Sequence, residues 1–161
     1  MATFEDHITQ ANSNLSFLSL INQQKQTFWD WQVTVAFYVA VHIANSHISK
    51  KANLQYRTHE DVKNALNPYN SLSICRIPEA PYLCYTKLEG LSRRSRYLCN
   101  EKNGNRSNDA HLTYEKHLAK AIRHLDCVLS YFGDLYGIKF NVIKITCQDI
   151  SKSDNLKYFI I

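Results

Sequence analysis

Apolar positions near the end of the chain recur with the period of a helix. Leu118, Ile122, Leu125, Leu129, Phe132 and Tyr136 are separated by steps of four, three, four, three and four, so they stack on one face of a 3.6-residue turn. The pattern predicts a long helix that closes at Gly133 or Gly137, because glycine tolerates the left-handed conformation that ends a helix. An earlier segment carries two such tracks. Phe28, Trp31, Val35, Tyr38 and His42 form one, and Val33, Phe37, Val41, Ala44 and Ile48 form the other. A helix apolar on two sides belongs near the centre of a bundle.

Weaker signals place the remaining elements. Leu15, Leu18 and Ile21 fall on one side of a first helix from Thr3 to about Gln24. Thr58 can cap a short helix reaching Leu66, with Glu60 and Asp61 in the first turn, where the helix dipole favours negative charge. Asn67-Pro68 ends that helix. Pro81 is placed to start the next one, which carries Tyr85, Leu88, Ser92, Ser95 and Cys99 on one side. "NEKNGNRSND" breaks the chain before the last helix. Beyond it, "IKFNVIKITC" and "LKYFII" change to alternating and β-branched residues, which predicts a small hairpin or strand pair. The expected fold is mainly α: an up-and-down bundle of four or five helices over residues 1–136, with a β extension over 137–161 packed on the same domain.

Composition narrows the classes. A chain of 161 residues with 45% hydrophobic content can bury one sizeable core. Four glycines and three prolines are too few for a turn-dense β-sandwich. Cys75, Cys84, Cys99, Cys127 and Cys147 include no CxxC pair, so neither a zinc knuckle nor a disulfide framework is expected, and a reducing cytoplasm fits best. "MATFEDHITQ" lacks the basic start of a secretory signal, and "VTVAFYVAVHIA" is too short to span a bilayer. A formal charge of +5 permits a phosphate-bearing partner without announcing one.

Candidate chemistry gathers around "RSNDAHLTY", which sets Arg106 and His111 five positions apart. A histidine titrates near neutrality and can exchange a proton with a ribose 2′-hydroxyl or a leaving oxygen. An arginine fork can hold phosphoryl oxygens and stabilise developing charge. On one ideal helix the two would lie about 140° apart, so they converge only if the helix starts after Arg106 or if two subunits meet across a two-fold axis. The alternative is structural: Asn108 or Asp109 caps the last helix, His111 is a half-buried core group, and Arg106 is a solvated loop charge.

Arg93, Arg94 and Arg96, with Tyr97 and Lys102, make the densest basic patch, able to hold an RNA backbone and stack a base or else to sit in solvent. Tyr38, His42 and His59 form an alternative polar site whose simpler reading is a set of satisfied core side chains. His117 and His124 are seven apart, the wrong spacing for a metal pair, and read as solvated; no metal or cofactor is expected. Trp29, Trp31, Phe37 and Tyr38 read as packing residues.

"DWQVTVAFYVAVHIANSHI", "YRTHEDVKNAL" and "YTKLEGLSRRSRYL", followed by the last amphipathic helix, resemble small stand-alone bacterial proteins of the HEPN superfamily over roughly residues 28–132. "WQVTVAFYVAVH" is the most recognisable string. The resemblance implies a helical bundle that is usually a homodimer. It also implies either a metal-independent ribonuclease, in some cases a toxin paired with a nucleotidyltransferase-like antitoxin, or a non-catalytic dimerisation or adaptor module. Active members carry an arginine, a polar residue and then a histidine at the spacing of Arg106, Ser107 and His111; Ser107, Asn108 and Tyr114 are the candidate supporting groups in this chain. Ser107 stands where Asn, His or Asp is usual, and Tyr114 lies three rather than two positions after the histidine.

Overall fold

The computed structural model describes residues 1–24, 27–100 and 110–161. Among these, helices α1 (Phe4–Gln24), α2 (Trp29–Ala52), α3 (His59–Leu66), α4 (Glu79–Tyr97) and α5 (Glu115–Tyr136) precede the two short strands β1 (Ile143–Lys144) and β2 (Phe159–Ile160). The architecture is the helical bundle with a small strand pair that the periodicity predicts.

α2 packs against α1, α3, α4 and α5, and its buried residues run almost unbroken from Gln32 to Ile48. The track through Val33, Phe37, Val41, Ala44 and Ile48 faces the core. The other track does so only in part: Val35 is buried, but Phe28 is 47%, Trp31 62% and Tyr38 39% exposed. It follows the seam between α1 and α3, where Tyr38 meets the His59 ring and His42 meets His7. Trp31 and Tyr38 are therefore largely surface groups, whereas Phe37 is the packing residue its spacing suggests.

Local rules account for the other helices. Thr58 Oγ1 accepts the Asp61 N–H at 3.1 Å and caps α3. α4 turns Tyr85, Leu88, Ser92 and Ser95 inward and stops at Leu98, whose N–H makes the last helical bond, to the Arg94 carbonyl at 2.9 Å, and whose φ of 52° turns the chain away. Cys99 lies past that end. α5 ends as its glycines predict, with Gly137 at φ 66°.

The C-terminal strands pair in parallel, Ile143 opposite Phe159 and Lys144 opposite Ile160. They are a strand pair and not a hairpin, since parallel strands need a crossing connection. α5 guides that connection. Arg123 Nη2 donates to the Asp149 carbonyl at 2.7 Å and to Asp154 Oδ2 at 2.9 Å. Asp126 accepts the N–H groups of Lys157 and Tyr158. Phe140, Ile143, Ile145, Ile150, Tyr158 and Phe159 join the hydrophobic cluster of the bundle.

One buried amide ties three segments together. Asn22 Nδ2 donates to Gln32 Oε1 at 2.8 Å and to the Thr146 carbonyl at 3.0 Å, while its Oδ1 accepts the Thr146 N–H at 2.7 Å. Asn22 and Gln32 are both fully buried, and a group so placed is tolerated because it is hydrogen-bonded.

Candidate functional site

α5 begins at Glu115, not near residue 109. Residues 110–114 form an extended strap across the last turns of α4, so neither Asn108 nor Asp109 caps α5, and the apolar stripe of α5 does not continue back to His111 as helix. The His111 N–H donates to the Leu98 carbonyl at 2.8 Å. Arg94 donates through Nε and Nη2 to the Leu112 carbonyl at 2.9 and 2.8 Å, and Ser95 Oγ lies 3.1 Å from Thr113 Oγ1. At the end of the strap, the Tyr114 N–H donates to His117 Nδ1 at 2.9 Å. The strap is thus fastened at both ends, and His111 is held by its backbone while its ring Nε2 is buried without a hydrogen-bond partner. Buried polar atoms in that condition are uncommon.

Arg106, Ser107, Asn108 and Lys102 lie outside the described residues. The rest of the basic patch divides by role. Arg94 is a clamp on the strap. Arg96 lies 5.0 Å over the Tyr97 ring and its Nε reaches the Ser92 carbonyl at 3.4 Å. Tyr97 itself is 67% exposed. Together, Arg96 and Tyr97 offer a cation and a stacking face at the end of α4, beside the strap.

A carboxylate overlooked in the sequence sits beneath this patch. Glu89 faces Lys63 Nζ at 3.9 Å. Burial, with Glu60 nearby, holds its carboxyl above the usual carboxylate range against the pull of Lys63, Arg93 and Arg96. Its signal was its place one helical turn after Tyr85 and two turns before Arg96, on a face that also carries Ser92. Tyr85 Oη and Ser92 Oγ are both buried without partners, and burial and the neighbouring Glu89 raise the Tyr85 phenol well above its ordinary value.

The alternative polar site separates. His59 rests edge-on against Phe37, ring centres 4.9 Å apart, and 6.1 Å from Tyr38; burial and then Arg96 lower its pKa. His42 turns away toward α1, where its Nδ1 lies 3.2 Å from His7 Nδ1. His7 belongs to the buried stripe His7, Ala11, Leu15, Leu18 and Asn22, which extends the Leu15–Leu18 pattern by whole turns in both directions. His117 is also not solvated: it is 3% exposed and caps α5.

Other features lie apart from the strap. His47 donates and accepts within the core, with Nδ1 2.7 Å from Tyr136 Oη and Nε2 3.1 Å from the Cys75 carbonyl. It borders a crevice of about 340 Å³ with Lys51, Cys75 and Arg76 at the opposite end of α2. Among the described residues, no group of three or more His, Cys, Asp and Glu side chains is arranged to hold a metal ion, and no helix is long and apolar enough to cross a membrane. Comparison of the chain with protein-family models, curated proteins and solved structures finds no match.

Proposed function

We propose that this chain is a HEPN-type endoribonuclease that acts as a homodimer and cleaves RNA without a metal. The observation that carries the reading is the condition of His111: its backbone is fixed to the end of α4, yet its Nε2 is committed to no partner within the fold. A proton-transfer group needs a fixed position and an uncommitted ring nitrogen, and because Nε2 is enclosed this role requires the strap to open enough to admit RNA. The exposed Tyr97 and the adjoining Arg96 supply a stacking face and a phosphate-directed cation next to it.

In this mechanism His111 takes the proton of the ribose 2′-hydroxyl, whose oxygen attacks the adjacent phosphorus. The Arg106 guanidinium stabilises the charge on the phosphoryl oxygens. The 5′-oxygen leaves with a proton from the second protomer's His111, which enters the step as an imidazolium and ends it neutral, giving a 2′,3′-cyclic phosphate and a free 5′-hydroxyl. Two-fold pairing is what brings two imidazoles to one phosphodiester.

Incubation of the purified protein with mixed RNA in excess chelator tests the reading. Cleavage with cyclic-phosphate ends is expected, together with its loss in His111→Ala and Arg106→Ala variants whose circular dichroism is unchanged. Equal activity in parent and variants would discard the assignment.

A second reading, a non-catalytic dimerisation or adaptor module, is favoured by the enclosure of His111 Nε2 and by the use of Arg94 on the Leu112 carbonyl. It anticipates RNA, nucleotide or protein binding with no cleavage, and a nucleotidyltransferase-like antitoxin is the protein partner the family resemblance suggests.

A further inference from the structure

We propose that His7 and His42 form a proton-operated latch that holds α1 on α2 while at most one proton is bound and releases it when a second arrives. The two rings meet Nδ1 to Nδ1 at 3.2 Å, with centroids 5.5 Å apart and planes tilted by 40°. A contact of that length between ring nitrogens requires one N–H and one lone pair. The neutral pair provides this, with one ring the Nδ1–H tautomer and the other the Nε2–H tautomer. The singly protonated pair provides it as well, because the imidazolium donates to its neutral neighbour. The doubly protonated pair cannot: both Nδ1 atoms then carry hydrogens that point at each other, and two positive charges face one another. A second proton therefore has to separate the rings.

The surroundings offer little to offset that repulsion. His7 is 4% exposed and its Nε2 is buried without a partner. On α1 the neighbouring carboxylate is Asp6, which favours charge on His7 but is itself engaged by the Thr3 N–H and hydroxyl at 2.8 and 2.9 Å. From α2, Lys50 lies over the Phe4 ring at 4.3 Å and adds positive charge toward the start of α1. Tyr38 stands one turn before His42 on α2, with His59 of α3 beyond it. β1 meets α1 near the other end, where Ser19 Oγ donates to the Lys144 carbonyl at 3.3 Å.

Burial lowers the pKa of both rings, and His7 lowers that of His42 further. With folded values below the unfolded one, the latch is intact above the ordinary histidine range and weakens as the pH falls through it. Release would uncover Ala11, Leu15 and Leu18 and the α2 surface beneath them.

Amide hydrogen exchange on the full chain, followed from about pH 7.5 to about pH 5 and corrected for intrinsic rates, tests the latch. In the parent protein α1 should lose protection by about tenfold relative to α4, which carries no histidine, since one pKa unit corresponds to a tenfold change. In His42→Gln, which keeps an acceptor but cannot titrate, His7 still responds through its burial but the excess loss at α1 should shrink. Parallel loss in the parent, or an unchanged response in the variant, would overturn the proposal. Should His42→Gln not fold, nitrogen-15 NMR of the parent histidines decides: the latch requires two linked titrations, one of them displaced downward, and two independent titrations at ordinary midpoints would refute it.

Discussion

The carboxylate of Asp126 on α5 accepts the Tyr158 N–H at 2.8 Å and the Lys157 N–H at 3.1 Å, so one side chain presents the chain to β2. Asp126 is 8% exposed. Replacing it with alanine leaves two donors without their acceptor. Asp126→Ala should lower stability by roughly 2–4 kcal/mol, given about 1–3 kcal/mol for each buried group left unsatisfied. Urea denaturation measures this, and Asp126→Asn, which retains one acceptor oxygen, should lose less.

Gly133 and Tyr158 set a second constraint. A Cβ at Gly133 would stand 2.5 Å from Tyr158 Oη and 3.1 Å from the Ile138 carbonyl, and Tyr158 is only 5% exposed, so it has little room to retreat. Gly133→Ala should cost about 1–3 kcal/mol despite the better helix propensity of alanine. Because the closest contact is the phenol oxygen, the cost should shrink in a Tyr158→Phe background. A double-mutant cycle gives that coupling, and strict additivity would contradict the packing account.

His47 makes the fold sensitive to acid at a different place. Tyr136 Oη–H donates to Nδ1, and Nε2–H donates to the Cys75 carbonyl, an arrangement of the neutral ring. Burial lowers the pKa of His47 first and Lys51 adds to this, while the bond to the Cys75 carbonyl opposes them. The folded value then lies below the unfolded value of about 6.5. The unfolded chain binds the proton first as the pH drops, so the stabilising effect is complete above about 6.5 and is lost progressively below it. Urea midpoints at about pH 7.5 and 5.5 should differ more in the parent than in His47→Gln.

The basic end of α4 should separate by salt dependence. Arg96 projects toward Tyr97, whereas Arg94 grips the Leu112 carbonyl. For RNA binding, Arg96→Ala should reduce the slope of log affinity against log salt by about one, the value for one phosphate contact. Arg94→Lys, which cannot form the same two-pronged bond, should change that slope little and should loosen residues 110–114, seen as faster amide exchange at His111.

The sequence makes the helices legible where one face carries the whole signal. The Leu118-to-Tyr136 stripe, Gly137 and the Thr58 cap all lie in the structure where local rules put them. What escaped depends on contacts between distant segments. Parallel pairing of Ile143 with Phe159 follows from how Arg123 and Asp126 route the intervening chain, and no local pattern encodes that route. His117 and His124, seven apart and unsuited to a metal pair, read as solvated, whereas the bond from the Tyr114 N–H to His117 at the start of α5 depends on a strap that begins outside the helix. The His7–His42 contact joins residues 35 positions apart. Its trace in the sequence was a histidine in phase with Ala11, Leu15 and Leu18. Of the Arg106/His111 motif, only His111 and Tyr114 fall within the described residues, together with the α4 end they rest on.

The Asn22 amide does more than satisfy itself. It reaches Gln32 on α2 and both the N–H and carbonyl of Thr146. If α1 slid by a single residue along α2, an apolar side chain could still find apolar neighbours, but this amide would lose every partner together in a dry environment. Misaligned packings of the bundle are penalised far more than the native one is favoured, so Asn22 acts as a checkpoint against slippage.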